Sequence, residues 1–222
     1  DALVRRTDEI MRENALDVAD AKAAHRPGAM VDRLLLDEDR ILAMARGVRD
    51  VAALADPIGA IESGYRLPNG LEVVRKRVPL GVVAVIYEGR PNVTSDAAAL
   101  CLKSGNAVVL RGSSIAARSN GIIAEVLVRA LVEAELPQGA IVAIDGDHAQ
   151  LRELLQMKEL IDLVVPRGGD DPKAFLMEHS KVPVIYAAAG NNHVYVDATA
   201  DLDKAARIAV NAKVQRPGVC NA

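Results

Sequence analysis

The sequence predicts an α/β fold: a doubly wound parallel sheet preceded by N-terminal helices. Three observations carry that reading. Gly81-Val82-Val83-Ala84-Val85-Ile86 and Asn106-Ala107-Val108-Val109-Leu110 are short, nearly continuous apolar runs, as expected of strands covered on both faces. Amphipathic stretches of helical length lie between such runs. Strand and helix then alternate from residue 82 onward, a pattern that gives parallel crossovers.

The elements follow in order. Met11, Ala15 and Val18 recur at helical spacing, as do Ile41, Ala45, Val48, Ala52 and Ala55, so two helices are expected before the sheet. Asp37 stands at the N-cap position of the second, and Asp56-Pro57 closes it. Pro68-Asn69-Gly70 marks a turn, followed by an extended segment over 71–78. After the first sheet strand a helix is expected over 93–103, capped by Thr94, Ser95 or Asp96. A second strand runs over 106–110, and a long helix carries Ile122, Ile123, Val126, Leu127, Ala130 and Leu131. A third strand spans 140–144, a helix 147–155, a fourth strand 161–165 and a helix 172–178. Val184-Ile185-Tyr186 reads as a fifth strand and His193-Val194-Tyr195-Val196 as a short further one. Leu202, Ala205, Ala209 and Ala212 define a last helix.

Composition narrows the function classes. Half of the 222 residues are hydrophobic, enough for the cores of one to two domains. The net charge of −3 points to neither nucleic acid nor an anionic membrane. Aromatic residues make up 2% with no Trp, so stacking platforms for single-stranded nucleic acid are not expected. There is no apolar run long enough to span a bilayer and no basic segment followed by a short apolar one, so neither a span nor a secretory signal is read. The two cysteines stand far apart, which suits reduced thiols in a cytoplasmic protein.

Ligands of a doubly wound sheet bind at the carboxyl ends of its strands. Three segments follow strands: 87–92, Arg111-Gly112-Ser113-Ser114 and Pro166-Arg167-Gly168-Gly169. Asn92 can donate to a developing oxyanion, or it can simply shape the turn. Arg111, Ser113 and Ser114 bring a cation and two hydroxyls but no acid, a composition that suits a dinucleotide 2′-phosphate if one binds. Gly168-Gly169 can bring backbone amides to a phosphate or form an ordinary turn. Cys220, after Arg216-Pro217-Gly218, stands between an activated nucleophile and an inert thiol. Cys101, in an apolar stretch, fits the inert role. The four histidines show no ligand spacing, so no metal site is expected.

Several motifs then occur in order: Glu88-Gly89-Arg90-Pro91-Asn92-Val93-Thr94, Lys103-Ser104-Gly105-Asn106, Pro166-Arg167-Gly168-Gly169, His193-Val194-Tyr195-Val196-Asp197 and Gln215-Arg216-Pro217-Gly218-Val219-Cys220. Together, over essentially the whole chain, they resemble the gamma-glutamyl phosphate reductases of the aldehyde dehydrogenase superfamily. The resemblance implies an aldehyde-dehydrogenase-like, Rossmann-type fold. It implies NADPH-dependent reduction of L-glutamyl 5-phosphate to L-glutamate 5-semialdehyde, the second step of proline biosynthesis, through a cysteine thioester. It places Cys220 on the catalytic cysteine and Asn92 on the oxyanion-hole asparagine. Arg111, Ser113 and Ser114 fall at the cofactor ribose, and Pro166, Gly168 and Gly169 near its pyrophosphate. Arg90 and Arg216 are candidates for the substrate's carboxylate or phosphate, with a structural ion pair as the alternative for each. Residues 1–198 would form the dinucleotide-binding domain, with oligomerisation strands at about 62–79. Residues 199–222 would begin a catalytic domain that is cut short here. A homo-oligomer and a functional association with glutamate 5-kinase are implied too. Gly89, Asn192 and Asp170-Asp171-Pro172 depart from the family's usual residues. Hydrolytic relatives carry Glu-Leu-Gly-Gly where this chain has Ala187-Ala188-Ala189-Gly190, so no base stands there to activate water. Two rival readings are a hydrolytic semialdehyde dehydrogenase and an inactive nucleotide-binding fragment.

Overall fold

The computed structural model describes residues 1–168, 170–185 and 192–215, with the backbone alone at 170–173. Four helices come first: α1 (Ala2–Arg5), α2 (Thr7–Ala23), α3 (Gly28–Leu34) and α4 (Glu38–Ala53). Asp37 caps α4 as expected, its carboxylate accepting from the Arg40 N–H at 2.8 Å, a device worth about 1 kcal/mol. Ile41 and Ala45 of α4 are buried, but Ala52 is exposed and the helix ends before Ala55. The face of α2 differs from the expectation. Met11 and Ala15 are exposed, and the buried stripe is Ile10, Asn14, Asp17, Val18 and Ala21.

Two polar residues shift that stripe. Asn14 donates through Nδ2 to the Leu34 carbonyl at 2.8 Å and to Ser119 Oγ at 3.0 Å, while its Oδ1 accepts from the Leu36 N–H at 2.8 Å. Asp17 accepts from the Ser119 N–H at 2.8 Å and from its hydroxyl at 2.6 Å. Each buried polar group is thereby satisfied, which is the condition for its burial.

The turn at 68–70 joins β1 (Ile61–Arg66) to β2 (Glu72–Lys76) in an antiparallel hairpin that pairs Arg66 with Glu72. Gly70, at φ +89°, supplies the left-handed step, and Asn69 Oδ1 accepts from the Leu71 N–H at 3.1 Å. Every residue of β1 is exposed, Ile61 and Tyr65 among them.

The sheet is built by β3 (Val82–Tyr87), β4 (Ala107–Arg111), β5 (Ile141–Ala143) and β6 (Leu163–Arg167), in the order β5-β4-β3-β6 with every pair parallel. Between them run α5 (Asn92–Lys103), α6 (Ala117–Glu133) and α7 (His148–Leu154). The helices α8 (Asp170–His179) and α9 (Leu202–Val214) follow. Alternate residues of β3 face opposite layers. Val83, Val85 and Tyr87 pack with Ala97, Ala98 and Cys101 of α5 and Leu131 of α6. Ala84 and Ile86 pack with Leu151 and Leu154 of α7 and with Leu176 of α8. This two-sided burial is why β3 reads as a continuous apolar run. Ile123 and Val126, on the outer face of α6, join Ile10, Ile41 and Met44 of the N-terminal helices.

Four further expectations need correction. Thr94, Ser95 and Asp96 do not cap α5; the helix begins at Asn92 after Pro91, and all three lie in its first turns, Thr94 bonded to Tyr87 and Asn120, and Ser95 and Asp96 to Asn92 of the same helix. Pro166 and Arg167 belong to β6 itself, paired with Ile86 and Tyr87. Val164 bonds outward to Pro183 and Ile185, so Pro166, two residues on, turns the side that lacks an N–H away from β3. The fifth strand is a single parallel bridge between Val164 and Val184, and Tyr186 lies outside the described residues. Residues 193–196 form no strand; Val194, Tyr195 and Val196 are exposed and no ladder partner stands beside them among the described residues.

Candidate active site

The strand order reverses between β3 and β6, so the crevice of the sheet opens at their carboxyl ends. Ile86 is flanked there by Arg111 on one side and Pro166 on the other. Tyr87, the last residue of β3, is buried and shares a 2.8 Å hydrogen bond with the Thr94 hydroxyl. Thr94 Oγ1 also lies 3.2 Å from Asn120 Oδ1. This buried chain ties the end of β3 to the first turns of α5 and α6. Burial pushes the Tyr87 phenol up to about 12, so it stays neutral and serves as a hydrogen-bonding strut.

The strut sets where α5 starts, and Asn92 is its first residue. Asn92 Nδ2 donates to Asp96 Oδ2 at 2.9 Å, one helical turn on. Burial raises the Asp96 carboxyl above the usual range, and the bond from Asn92 works the other way. Asn92, Asp96 and Arg90 line a cavity of about 410 Å³. Its far wall comes from the N-terminal helices and their connection: Arg33, Leu35, Arg40 and Met44. The Asn92–Asp96 pair was not read from the sequence, because the helix was expected from residue 93 and Asn92 only becomes its first residue in the structure. Nothing in the sequence pointed to Arg33.

At the other side of the crevice, Arg111 ends β4 and donates to the Gly146 carbonyl at 2.8 Å. Burial pulls its guanidinium below the usual range, while the nearby Asp145 and Asp147 carboxylates raise it. The stretch 111–114 has no acid of its own, yet the end of β5 brings two close, which corrects the acid-free picture of this corner. Ser113 Oγ accepts from the Ile115 N–H at 3.5 Å, and Ser114 is exposed. A Cβ at Gly112 would fall 2.0 Å from Asn120 Nδ2 and 3.2 Å from Tyr87 Cε2, so no other residue fits without movement. A Cβ at Gly168 would fall 2.7 Å from Glu88 Cδ. A second cavity, of about 340 Å³, lies against Tyr87, Gly112, Asn120 and Asp145.

Gly169, Arg216, Cys220 and the stretch 187–190 lie outside the described residues. Cys101 is buried, and its thiol is pushed up to about 11. Among the described residues no group of His, Cys, Asp and Glu could hold a metal ion, and no helix is long and apolar enough to cross a membrane.

The model of the aldehyde dehydrogenase family matches residues 1–222. The chain belongs to the aldehyde dehydrogenase family. Among its curated relatives, the gamma-glutamyl phosphate reductase of Thermoanaerobacter pseudethanolicus is 49% identical over 223 residues, covering 100% of this chain and 54% of the relative. That of Geobacter metallireducens is 50% identical over 222 residues, covering 100% and 53%. The crystal structure of gamma-glutamyl phosphate reductase from Thermotoga maritima superposes with a TM-score of 0.89 at 40% identity, covering 100% of this chain and 54% of that one. The chain therefore spans about half the length of the relatives it matches. Its fold is that of an aldehyde dehydrogenase, with the parallel sheet and flanking helices described above.

Family membership implies a nicotinamide dinucleotide, and the carboxyl edge of the sheet fits one. Gly112 lines the cavity against Tyr87 and Asn120, Arg111 brings a cation, and Ser113 and Ser114 bring hydroxyls. The Asp145 and Asp147 carboxylates near Arg111 oppose an added negative charge there.

Proposed function

We propose that the protein reduces L-glutamyl 5-phosphate to L-glutamate 5-semialdehyde with NADPH, releasing phosphate, through a thioester on Cys220. The observation that carries this reading is the likeness, along the whole chain and at 49% identity, to proteins named gamma-glutamyl phosphate reductase. The absence of an acid from Ala187-Ala188-Ala189-Gly190 supports a thioester protected from water.

In this mechanism the Cys220 thiolate attacks the acyl carbon. The C–S bond forms, the C–O bond to phosphate breaks, and phosphate leaves with the electron pair. The Asn92 side chain and the Cys220 backbone N–H donate to the carbonyl oxygen as it gains charge. When bound, the reduced nicotinamide supplies a hydride to the thioester carbon. Collapse of the resulting oxyanion expels the Cys220 thiolate and frees the aldehyde. Arg90 and Arg216 hold the substrate's carboxylate or phosphate, for which arginine forks are suited. Arg111, Ser113 and Ser114 hold the cofactor ribose and its 2′-phosphate; Pro166, Gly168 and Gly169 lie along its pyrophosphate. By this reading α9, none of whose residues is buried, belongs to a catalytic unit beginning at residue 199. The exposed hairpin of β1 and β2 is the surface for a homo-oligomer.

The test is to give the protein, at its natural length, glutamate 5-semialdehyde and NADP⁺ with and without inorganic phosphate. NADPH should appear only when phosphate is present, because phosphate resolves the thioester. Appearance without phosphate would replace this reading with a hydrolytic semialdehyde dehydrogenase.

A further inference from the structure

We propose that Arg33, on α3, anchors a terminal oxyanion of the substrate, its carboxylate or its phosphate, in the cavity beside Asn92. The inference rests on the acyl-phosphate reading above, and it makes the N-terminal helices part of the substrate site rather than a packing layer.

Asn92, the proposed oxyanion donor, lines this cavity. Its volume of about 410 Å³ lies in the range of small-molecule sites. Among the described residues, three arginines and the Asp96 carboxylate line it, and Arg40 is offset by Asp32 and Asp37, so the pull on an anion comes chiefly from Arg33. The apolar walls at Leu35 and Met44 reduce competition from water and strengthen charged contacts.

The three arginines are not equivalent. Arg40 is committed to the protein: its guanidinium donates to the Leu35 carbonyl at 2.8 Å and to Asp32 Oδ1 at 2.7 Å. Arg90 is engaged as well. Arg33 is exposed, and among the described residues no carboxylate or carbonyl is bonded to it. Yet its backbone is fixed. The next residue, Leu34, is fully buried, and its carbonyl accepts from Asn14; the Leu36 N–H donates to the same Asn14 side chain. Arg40 clasps the turn from the other side through Asp32 and Leu35. A cation bonded to no carboxylate or carbonyl among the described residues, mounted on a segment pinned on both sides and lining the cavity beside Asn92, has the preorganisation of a binding group.

The experiment compares wild type, Arg33→Gln and Arg33→Lys in the oxidative direction, varying glutamate 5-semialdehyde and phosphate separately, with butanal as an aldehyde that lacks a carboxylate. Loss of one charged hydrogen-bonding group predicts a rise in KM of about 10- to 100-fold in Arg33→Gln, with kcat changed little. Arg33→Lys should recover part of the loss. A rise in the KM of the semialdehyde, with butanal unaffected, assigns the carboxylate; a rise in the KM of phosphate alone assigns the phosphate. NADPH binding, read by the fluorescence of the reduced nicotinamide, should be the same in all three, which reports an intact fold. An unchanged KM for both substrates in an active Arg33→Gln enzyme overturns the inference while leaving the acyl-phosphate reading standing. A wild type without phosphate-dependent turnover overturns that reading and this inference with it.

Discussion

Replacing Asp96 by Ala removes the acceptor that holds the Asn92 amide, and a double-mutant cycle with Asn92→Ala turns that contact into a measurable quantity. Loss of one oxyanion donor costs about 10²–10³ in kcat, so Asn92→Ala should fall in that range. The bond to Asp96 is 2.9 Å long and has a carboxylate acceptor, a type worth about 1.5–3 kcal/mol. The pair is half-exposed, and Asn92 keeps its place at the start of α5 through the Tyr87–Thr94 strut. The expected cost of Asp96→Ala is therefore lower, about 1–2 kcal/mol, or roughly 5- to 30-fold in kcat. If Asp96 acts only by aiming the Asn92 amide, it has nothing left to aim in the Asn92→Ala background. The double variant should then be no slower than Asn92→Ala, giving a coupling energy close to the whole Asp96→Ala effect. The assay is phosphate-dependent NADPH formation, with the KM for NADP⁺ as a control that should not move. A double variant slower by the full Asp96→Ala factor would refute the reasoning, because Asp96 would then act independently of Asn92. The pH dependence gives a second readout. Burial raises the folded-state pKa of Asp96, so ionising it weakens the fold as pH rises from its unfolded value through the folded one. Asp96→Asn removes that penalty, and at pH 7 it should melt higher than wild type while turning over more slowly.

Further outcomes are expected at the two cysteines and at the cofactor corner. Cys101, with its thiol pushed up to about 11, is thiolate in only about one molecule per thousand at pH 8, so iodoacetamide at pH 8 should label Cys220, spare Cys101 and abolish turnover. Cys220→Ala should be inactive yet still bind NADPH, and turnover by that variant would remove Cys220 from the mechanism. Arg111→Gln should weaken NADPH binding about tenfold and NADH hardly at all, whereas Asp145→Asn should tighten NADPH by relieving a nearby negative charge. Equal loss for both cofactors in Arg111→Gln would show that Arg111 does not face a 2′-phosphate.

What the sequence revealed depended on whether one physical effect governed a segment. The strand β3 was legible because helices bury both of its faces, leaving only apolar residues from Val82 to Ile86. The α4 cap was legible because Asp37 acts within one turn. The face of α2 was not, because Asn14 and Asp17 sit inside and the apolar period no longer marks the buried side; their partners, Leu34, Leu36 and Ser119, are remote in sequence. The 193–196 segment has strand-forming side chains but no described partner, and β-propensity without a partner does not make a strand.

The candidate site divides in the same way. Asn92 and Arg90 were visible because they directly follow a buried strand, where ligands of such sheets gather. Arg111 was visible for the same reason, but its electrostatics were not, since Asp145 and Asp147 arrive from the next strand over. Arg33 is the extreme case. No element was read around it in the sequence, and its proposed role depends on three facts of the fold: Asn14 pinning the turn, Arg40 clasping it, and α4 packing close to α5. Motif reading finds residues that the sheet topology delivers to its carboxyl edge. A residue delivered by the packing of a separate helical layer needs the fold, and it is there that substrate choice can diverge while the reacting groups stay the same.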